Sequence, residues 1–127
     1  MREDGSKDGN VVLERSVAYA ISIIHLFRDL ERDSVGRILG NQLLRAGTSI
    51  GANVHEAQAA QSRPDFISKL SIAHKEAREA AYWLRLLEGA GVAQSSEISR
   101  LTDETDQLVR LLSSIILSAK GIPRRNS

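Results

Sequence analysis

The amino-acid sequence predicts an all-α protein, an antiparallel up-down four-helix bundle. Apolar residues recur at alternating steps of three and four along most of the 127 residues, as they do on one face of a helix. The breaks between these periodic stretches are short, which favours antiparallel neighbours. Runs of β-branched residues with a period of two, which would indicate strands, do not occur.

The first two helices are predicted over about residues 11–31 and 35–60, and Asp33 or Ser34 can cap the second. The core face predicted for the first helix comprises Leu13, Val17, Ala20, Ile24 and Phe27. The core face predicted for the second helix comprises Leu39, Leu43, Ala46, Ile50, Asn53 (or Val54) and Ala57.

The last two helices are predicted over about residues 63–88 and 96–120. Ser62 and Pro64 form a helix start, and Gly89 and Gly91 end the third helix. The core face predicted for the third helix comprises Phe66, Leu70, Ala73, Ala77, Ala80, Leu84 and Leu87. The core face predicted for the fourth comprises Ile98, Leu101, Thr105, Leu108, Leu112, Ile115 and Ala119.

The two ends of the chain are predicted to lie outside the bundle. Residues 1–10 are polar and read as a disordered N-terminal tail, residues 11–120 as the bundle and residues 121–127 as a flexible C-terminal tail. The polar N-terminus has no apolar signal region, and no uninterrupted apolar stretch is long enough to span a bilayer. We therefore expect a cytoplasmic protein with no membrane partner.

The composition excludes several kinds of site. The chain has no cysteine, which excludes disulfides, thiolate zinc sites, iron–sulfur clusters and cysteine nucleophiles. Seventeen Lys and Arg residues stand against sixteen Asp and Glu residues, a net charge of +1. This balance argues against nucleic-acid binding by bulk electrostatics but leaves room for a local basic patch.

A second apolar stripe runs beside the predicted core face on two helices. On the first helix it comprises Val12, Tyr19, Ile23, Leu26 and Leu30, and on the third Ile72, Trp83 and Leu86. A helix that is apolar well beyond its core face usually meets a second partner. The stripes therefore predict a homo-oligomer with an interface at Tyr19, Ile23, Leu26, Ile72 and Trp83. The alternative is a wide core within a single bundle.

Four glycines lie on one stripe of the second helix, at Gly36, Gly40, Gly47 and Gly51. Each interior glycine costs a helix about 1 kcal/mol relative to alanine. Their shared stripe predicts close backbone approach by another helix, within the bundle or between subunits.

No catalytic, cofactor or metal site is predicted. Residues 47–51 match the G-x-S-x-G pattern of hydrolases, but Ser49 falls in mid-helix with no strand before it. The histidines, His25, His55 and His74, lack the Glu-x-x-His spacing of di-iron bundles and read as surface residues.

Polar residues on or beside the core faces predict a structural polar layer that fixes helix register. Its members are Ser49, Asn53, Glu56 and Glu79, with Arg45 as a possible partner. The alternative is a paired-carboxylate active site shared between subunits around Glu56 and Glu79, and no nucleophile, base or metal ligand completes it.

A basic cluster is predicted on the outward side of the third helix. It comprises Lys75, Arg78 and Arg85, with His74 at its edge. Repeated around a ring of identical subunits, this cluster forms a face for nucleic acid or a partner protein. The alternative is a solvated surface balanced by neighbouring acids.

Two blocks of sequence resemble a known family. They are QLLRAGTSIGANVHEA over residues 42–57, and Phe66 followed by IAHKEARE over 72–79 and YWL over 82–84. These blocks are similar to the four-helix-bundle proteins encoded within intervening sequences of bacterial 23S ribosomal RNA genes, often labelled S23-type. Gly47, where serine is usual, and Lys75-Glu76, where Gly-Ser is frequent, depart from the family pattern.

This resemblance implies an up-down bundle that assembles as a homopentamer around a central channel. Relatives include accessory proteins of diversity-generating retroelements, which bind a reverse transcriptase and nucleic acid and have strongly basic surfaces. The partners implied are the chain itself, RNA or DNA, and a reverse-transcriptase-like protein. The function expected is therefore a non-enzymatic homo-oligomer with a binding or scaffolding role that is associated with RNA or a nucleic-acid enzyme. The alternative is a protein–protein interaction module that does not bind nucleic acid.

Overall fold

The computed structural model describes the backbone of residues 3–122 and the side chains of residues 10–94 and 96–122. It has four helices, α1 Glu3–Leu30, α2 Ser34–Gln58, α3 Arg63–Gly89 and α4 Ser95–Ala119. Each helix packs on two neighbours, so that α1 contacts α2, α2 contacts α3, α3 contacts α4 and α4 contacts α1. Short turns reverse the chain between contacting helices. The antiparallel up-down bundle predicted from the sequence is confirmed.

The helix ends follow local chemistry. The Asp33 carboxylate accepts a hydrogen bond from the Gly36 backbone N–H at 2.8 Å, so Asp33 is the residue that caps α2. The Ser62 hydroxyl accepts one from the Asp65 N–H at 3.1 Å and caps α3, as predicted. The chain turns after α3 at Gly91, whose φ of +69° favours glycine.

Helix α1 begins earlier than its sequence pattern indicates. It starts at Glu3, whereas the periodicity predicts a helix from Val11 preceded by a tail over residues 1–10. Residues 3–10 contain no proline, and an established helix extends at low cost through residues that can adopt its dihedral angles. At the other end α4 stops at Ala119 and Gly121 has a φ of +80°. Residues 1–2 and 123–127 lie outside the described residues.

The predicted core faces of α3 and α4 are confirmed almost residue by residue. Only Phe66 and Ala119, at the two ends of these faces, are half-buried; the rest are buried. On α2, Val54 is buried and Asn53 lies at the edge of the core. The middle of the α3 core face is small (Ala73, Ala77 and Ala80), whereas the buried side chains of α4 are mostly Leu and Ile, so large residues of α4 are available to fill the space beside the alanines.

The predicted core face of α1 is wrong. The residues that α1 buries are Val12, Ser16, Tyr19, Ile23, Leu26 and Leu30. In contrast, Val17 and Ile24 of the predicted face are exposed. Both stripes are apolar and lie about 100° apart on the helix, so periodicity does not distinguish them. The neighbouring helices distinguish the two stripes, because the buried stripe faces the glycines of α2 and Thr105 of α4.

The glycines of α2 allow α1 to approach closely. A Cβ built on Gly47 would lie 3.1 Å from Ile23 Cγ1, and one built on Gly51 would lie 3.2 Å from Ser16 Oγ. At Gly36 the same atom would collide with the backbone oxygen of Leu30. The predicted close helix approach therefore occurs within the bundle, between α1 and α2.

Candidate interaction surfaces

An apolar stripe on α1 faces away from the bundle. Val17, Ile21 and Ile24 follow each other at steps of four and three and are 45%, 50% and 41% exposed. We call these three residues the α1 outer face. Leu13, Ala20 and Phe27, each half-buried, border it on the side of α2. Two of its members, Val17 and Ile24, were predicted to lie in the core. Their exposure leaves a β-branched surface that no described residue of the chain covers.

Three of the predicted interface residues lie in the core of the chain. Tyr19, Ile23 and Leu26 are 1%, 0% and 1% exposed, so their assignment to an oligomer interface is wrong. They pack against α2 and α4 and have no surface left for a second copy. The other two predicted residues remain accessible, Ile72 as an exposed side chain and Trp83 as a half-buried one.

Helix α1 is apolar on two sides, which raises its hydropathy to that of a membrane span. Within the described residues, the stretch Asn10–Leu30 is long and apolar enough to cross a bilayer by length and composition, with a mean hydropathy of 1.2. Only 28% of the residues in that window are buried. The core stripe and the α1 outer face together account for this apolarity.

The predicted basic cluster on α3 is exposed. Lys75, Arg78 and Arg85 follow one another at steps of three and seven, so they share one side of the helix. We call them the α3 basic face. The two ion pairs formed by described residues, Arg15–Glu104 at 3.1 Å and Lys69–Glu56 at 3.5 Å, use none of them. Their charges are therefore directed at solvent.

An exposed aromatic ring lies within the α3 basic face. Tyr82 is 53% exposed and falls between Arg78 and Arg85 on the same side of α3. Its ring meets the ring of Trp83 edge-on, with centroids 5.1 Å apart and planes inclined by 65°. The Trp83 Nε1–H donates to Glu79 Oε2 at 3.2 Å, which fixes the indole.

His74 lies where the α3 basic face meets α4. Its Nε2 is 2.9 Å from Ser113 Oγ, and both residues line an open groove with Ser71, Ile116 and Leu117. Partial burial lowers the pKa of His74 below its usual 6.5, and the charge of Arg78 lowers it further. The neutral imidazole is thus favoured, and His74 is a half-buried residue of the α3–α4 contact instead of a simple surface histidine.

The four residues of the predicted polar layer do not meet in one layer. Ser49 Oγ donates to the Arg45 carbonyl at 2.7 Å, and Asn53 Nδ2 donates to the Ser49 carbonyl at 2.9 Å, both within α2. Glu56 pairs with Lys69 on α3, while Glu79 accepts from Trp83 on its own helix. Three of these side chains therefore bond within their own helix, and Glu56 alone reaches another helix, through an ion pair at the surface.

The bundle instead joins α1 to α4 through polar contacts that periodicity does not indicate. The hydroxyl of Tyr19 lies 2.7 Å from Thr105 Oγ1 in the core. Nearer the surface, Arg15 contacts Glu104 and donates to Gln107 Oε1 at 2.7 Å. The one signal for the first contact is a threonine in an otherwise aliphatic core face, because a buried hydroxyl requires a partner.

No observation on the described residues indicates catalytic chemistry. Ser49 lies in the middle of α2 with its hydroxyl bonded to a carbonyl of the preceding turn, which is not the geometry of an exposed nucleophile. In residues 10–94 and 96–122, no three His, Asp or Glu side chains gather as a metal site would require.

The fold and these surfaces define the class as an all-α four-helix-bundle protein. The chain belongs to the 23S rRNA-intervening sequence protein family, whose family model matches residues 9–114. It is similar to a crystal structure from Bacteroides thetaiotaomicron, described as a protein of unknown function from the S23 ribosomal protein family. The two share 41% identity over 86% of this chain and 97% of that one, with a TM-score of 0.82. None of the curated proteins compared with the chain matches it.

Proposed function

We propose that the protein is a non-enzymatic homo-oligomeric scaffold, a pentamer of four-helix bundles, that acts in the cytoplasm in association with RNA or a nucleic-acid enzyme. The observation that carries the homo-oligomer is the α1 outer face, and five subunits is the number that the family resemblance implies. Val17, Ile21 and Ile24 are β-branched side chains that expose about half their surface in a single chain. Burying such side chains stabilises an assembly by about 25 cal/mol per Å² of apolar surface.

A second copy of the chain suits the α1 outer face better than a bilayer does. Helix α1 packs on α2 and α4, and both carry charged residues on their outward sides, including Arg45 on α2 and Asp103 on α4. A bilayer deep enough to cover α1 would meet those charges at a high cost. A neighbouring bundle covers the α1 outer face while it leaves the charges in water.

The test of this interface is a pair of matched substitutions on two helices. Ile21→Glu places a charge at the centre of the α1 outer face, and Ala52→Glu places the same charge at an exposed position on α2. We expect sedimentation velocity to show a dissociated Ile21→Glu variant and an Ala52→Glu variant that sediments as the wild type. Circular dichroism checks that both remain helical. Equal sedimentation of all three proteins would remove the α1 outer face from the proposal.

The α3 basic face supports the association with nucleic acid. Its three cations have no ion-pair partner among the described residues, and each additional subunit repeats them. A chain of net charge +1 has little bulk attraction for RNA, so binding depends on this concentration of charge. The same face on an oligomer is a surface for a reverse-transcriptase-like protein, whose template it would help to hold.

RNA binding measured at a series of salt concentrations tests the proposed association with nucleic acid. We expect binding at low salt that weakens as salt increases, and Arg78→Gln should reduce the slope of log K against log salt by about 0.7 for a single strand. Arg45→Gln on α2, also exposed, is the matched control. Absence of binding by the wild type at low salt would favour the second candidate, an interaction module for another protein alone. The near-neutral charge of the chain is the observation that supports that candidate.

A further inference from the structure

An exposed aromatic side chain lies among the three cations of the α3 basic face. Tyr82 lies between Arg78 and Arg85 on the same side of α3, and about half of its surface is accessible. An exposed ring offers a flat apolar surface on which another flat group can stack. Cations that alternate with an exposed aromatic ring are typical of proteins that bind single-stranded nucleic acid.

One neighbouring aromatic contact restrains the ring on one edge. Trp83 meets Tyr82 edge-on, and the hydrogen bond from Trp83 to Glu79 restrains the indole. Because its neighbour is fixed, Tyr82 loses less conformational freedom when a flat ligand stacks on it. On another flank of α3, Lys69 pairs with Glu56 of α2, so this lysine is not one of the unpaired cations beside Tyr82.

We infer that Tyr82 stacks on an unpaired base, while Lys75, Arg78 and Arg85 contact the phosphates on either side of it. At a rise of 1.5 Å per residue, the ten residues from Lys75 to Arg85 span about 15 Å along α3, so an extended strand passes all three cations. The protein therefore binds single-stranded nucleic acid in preference to a duplex, whose bases are stacked inside and cannot reach the ring. This inference rests on the proposed association with nucleic acid.

The test compares the affinities for single strands and for duplexes of the wild type and of variants with substitutions in α3. Fluorescence anisotropy is measured with a labelled, non-self-complementary RNA of about 12 nucleotides, within the site sizes of single-strand-binding proteins. The same RNA annealed to its complement and a DNA strand of the same sequence are measured in parallel. The variants are Tyr82→Ala, Tyr82→Phe and Ile72→Ala, the last removing another exposed apolar side chain of α3.

We expect Tyr82→Ala to weaken single-strand binding roughly five- to a hundredfold, the range for loss of one base–aromatic stack. Tyr82→Phe keeps the ring and should bind as the wild type, as should Ile72→Ala. Duplex binding, which depends on phosphates, should change less than twofold in all three. The ratio of the two affinities shows whether the site prefers RNA or DNA, and loss of either in Tyr82→Ala supports stacking.

Three results would overturn the inference. If the wild type binds RNA with a salt dependence and Tyr82→Ala binds equally well, the stack is absent although the proposed function stands. If Tyr82→Ala loses single strands and duplexes equally, or changes the mass of the particle in solution, Tyr82 acts through assembly and not through a base. If the wild type binds no RNA or DNA at low salt, the proposed function and this inference fail together.

Discussion

The hydroxyl of Tyr19 donates a hydrogen bond to Thr105 Oγ1, 2.7 Å away, across the contact between α1 and α4. The direction follows from the threonine, because Thr105 Oγ1 uses its own proton on the Leu101 carbonyl at 2.6 Å. Both residues are buried among aliphatic side chains. This polar contact is open only to the stripe of α1 that carries the tyrosine, and together with the close fit on the glycines of α2 it favours burial of that stripe.

Removing the acceptor should cost more than removing the donor. Thr105→Val keeps the shape of the side chain but leaves the Tyr19 hydroxyl buried without a partner, which costs about 1–3 kcal/mol. Tyr19→Phe removes the hydroxyl itself and should cost about 0.5–1.5 kcal/mol. Urea unfolding of both variants and of the double variant measures these differences. A double variant that loses the sum of the two single losses would show that the residues are not coupled.

Alkaline pH should destabilise the protein through Tyr19. Burial raises the pKa of Tyr19 from 10.0 to about 12. Between these two values the unfolded chain releases the proton while the folded chain retains it, so stability falls as pH rises from 10 to 12. Tyr19→Phe should flatten this part of the pH profile. Tyr82→Phe removes the exposed tyrosine and serves as the control, whose profile should match the wild type.

Mild acid should weaken the contact between α3 and α4 through His74. Its pKa is lowered in the folded protein, so the unfolded state binds the proton first as pH falls below about 6.5. Stability should therefore be complete above that pH and decline below it. His74→Gln should show a smaller decline than the wild type between neutral pH and the lowered pKa, measured as melting temperature against pH. His25→Gln, at an exposed position on α1, is the matched substitution and should leave the decline intact.

Alanine substitutions at Gly36 and Gly89 should change the stability of the protein differently, because the surroundings of the two glycines differ. Gly36→Ala places a methyl group against the backbone oxygen of Leu30, which cannot move aside, and should destabilise by about 1–3 kcal/mol. Gly89→Ala meets nothing within 4 Å at the end of α3 and should be neutral or stabilise by up to about 1 kcal/mol. Thermal unfolding of the two variants measures both. Equal effects would mean that helix propensity, and not close packing, determines the outcome.

The sequence predicts the four helices well because each has independent local signals. Asp33 and Ser62 cap helices, Pro64 lies in a first turn, and Gly91 ends a helix, so these boundaries need no knowledge of the tertiary structure. The core faces of α3 and α4 follow because the longest apolar stripe of each helix is the one it buries, although α3 carries a shorter second stripe at Ile72, Trp83 and Leu86. In these helices the local and tertiary preferences agree.

Periodicity does not predict which face of α1 is buried or which polar side chains meet between α1 and α4. Val17 and Ile23 are equally apolar, and the choice between them depends on Gly47 of α2 and Thr105 of α4, which lie far away in sequence. Because α1 buries the stripe that contains Tyr19, the candidate oligomer surface lies at Ile21 and Ile24 instead. By contrast, Lys75, Arg78 and Arg85 are exposed as predicted. The long apolar face of α3 is buried, so the opposite side of the helix, which carries these residues, faces solvent.

The mass of the wild-type particle in solution tests the central claim most directly. Light scattering across a size-exclusion peak, repeated at several protein concentrations, measures it without a label or a partner. The exposed α1 outer face and the proposed pentamer predict a mass about five times the 13.9 kDa of the chain, stable on dilution. A mass of 13.9 kDa at every concentration would contradict the account, because Val17, Ile21 and Ile24 would then face water in the functional protein.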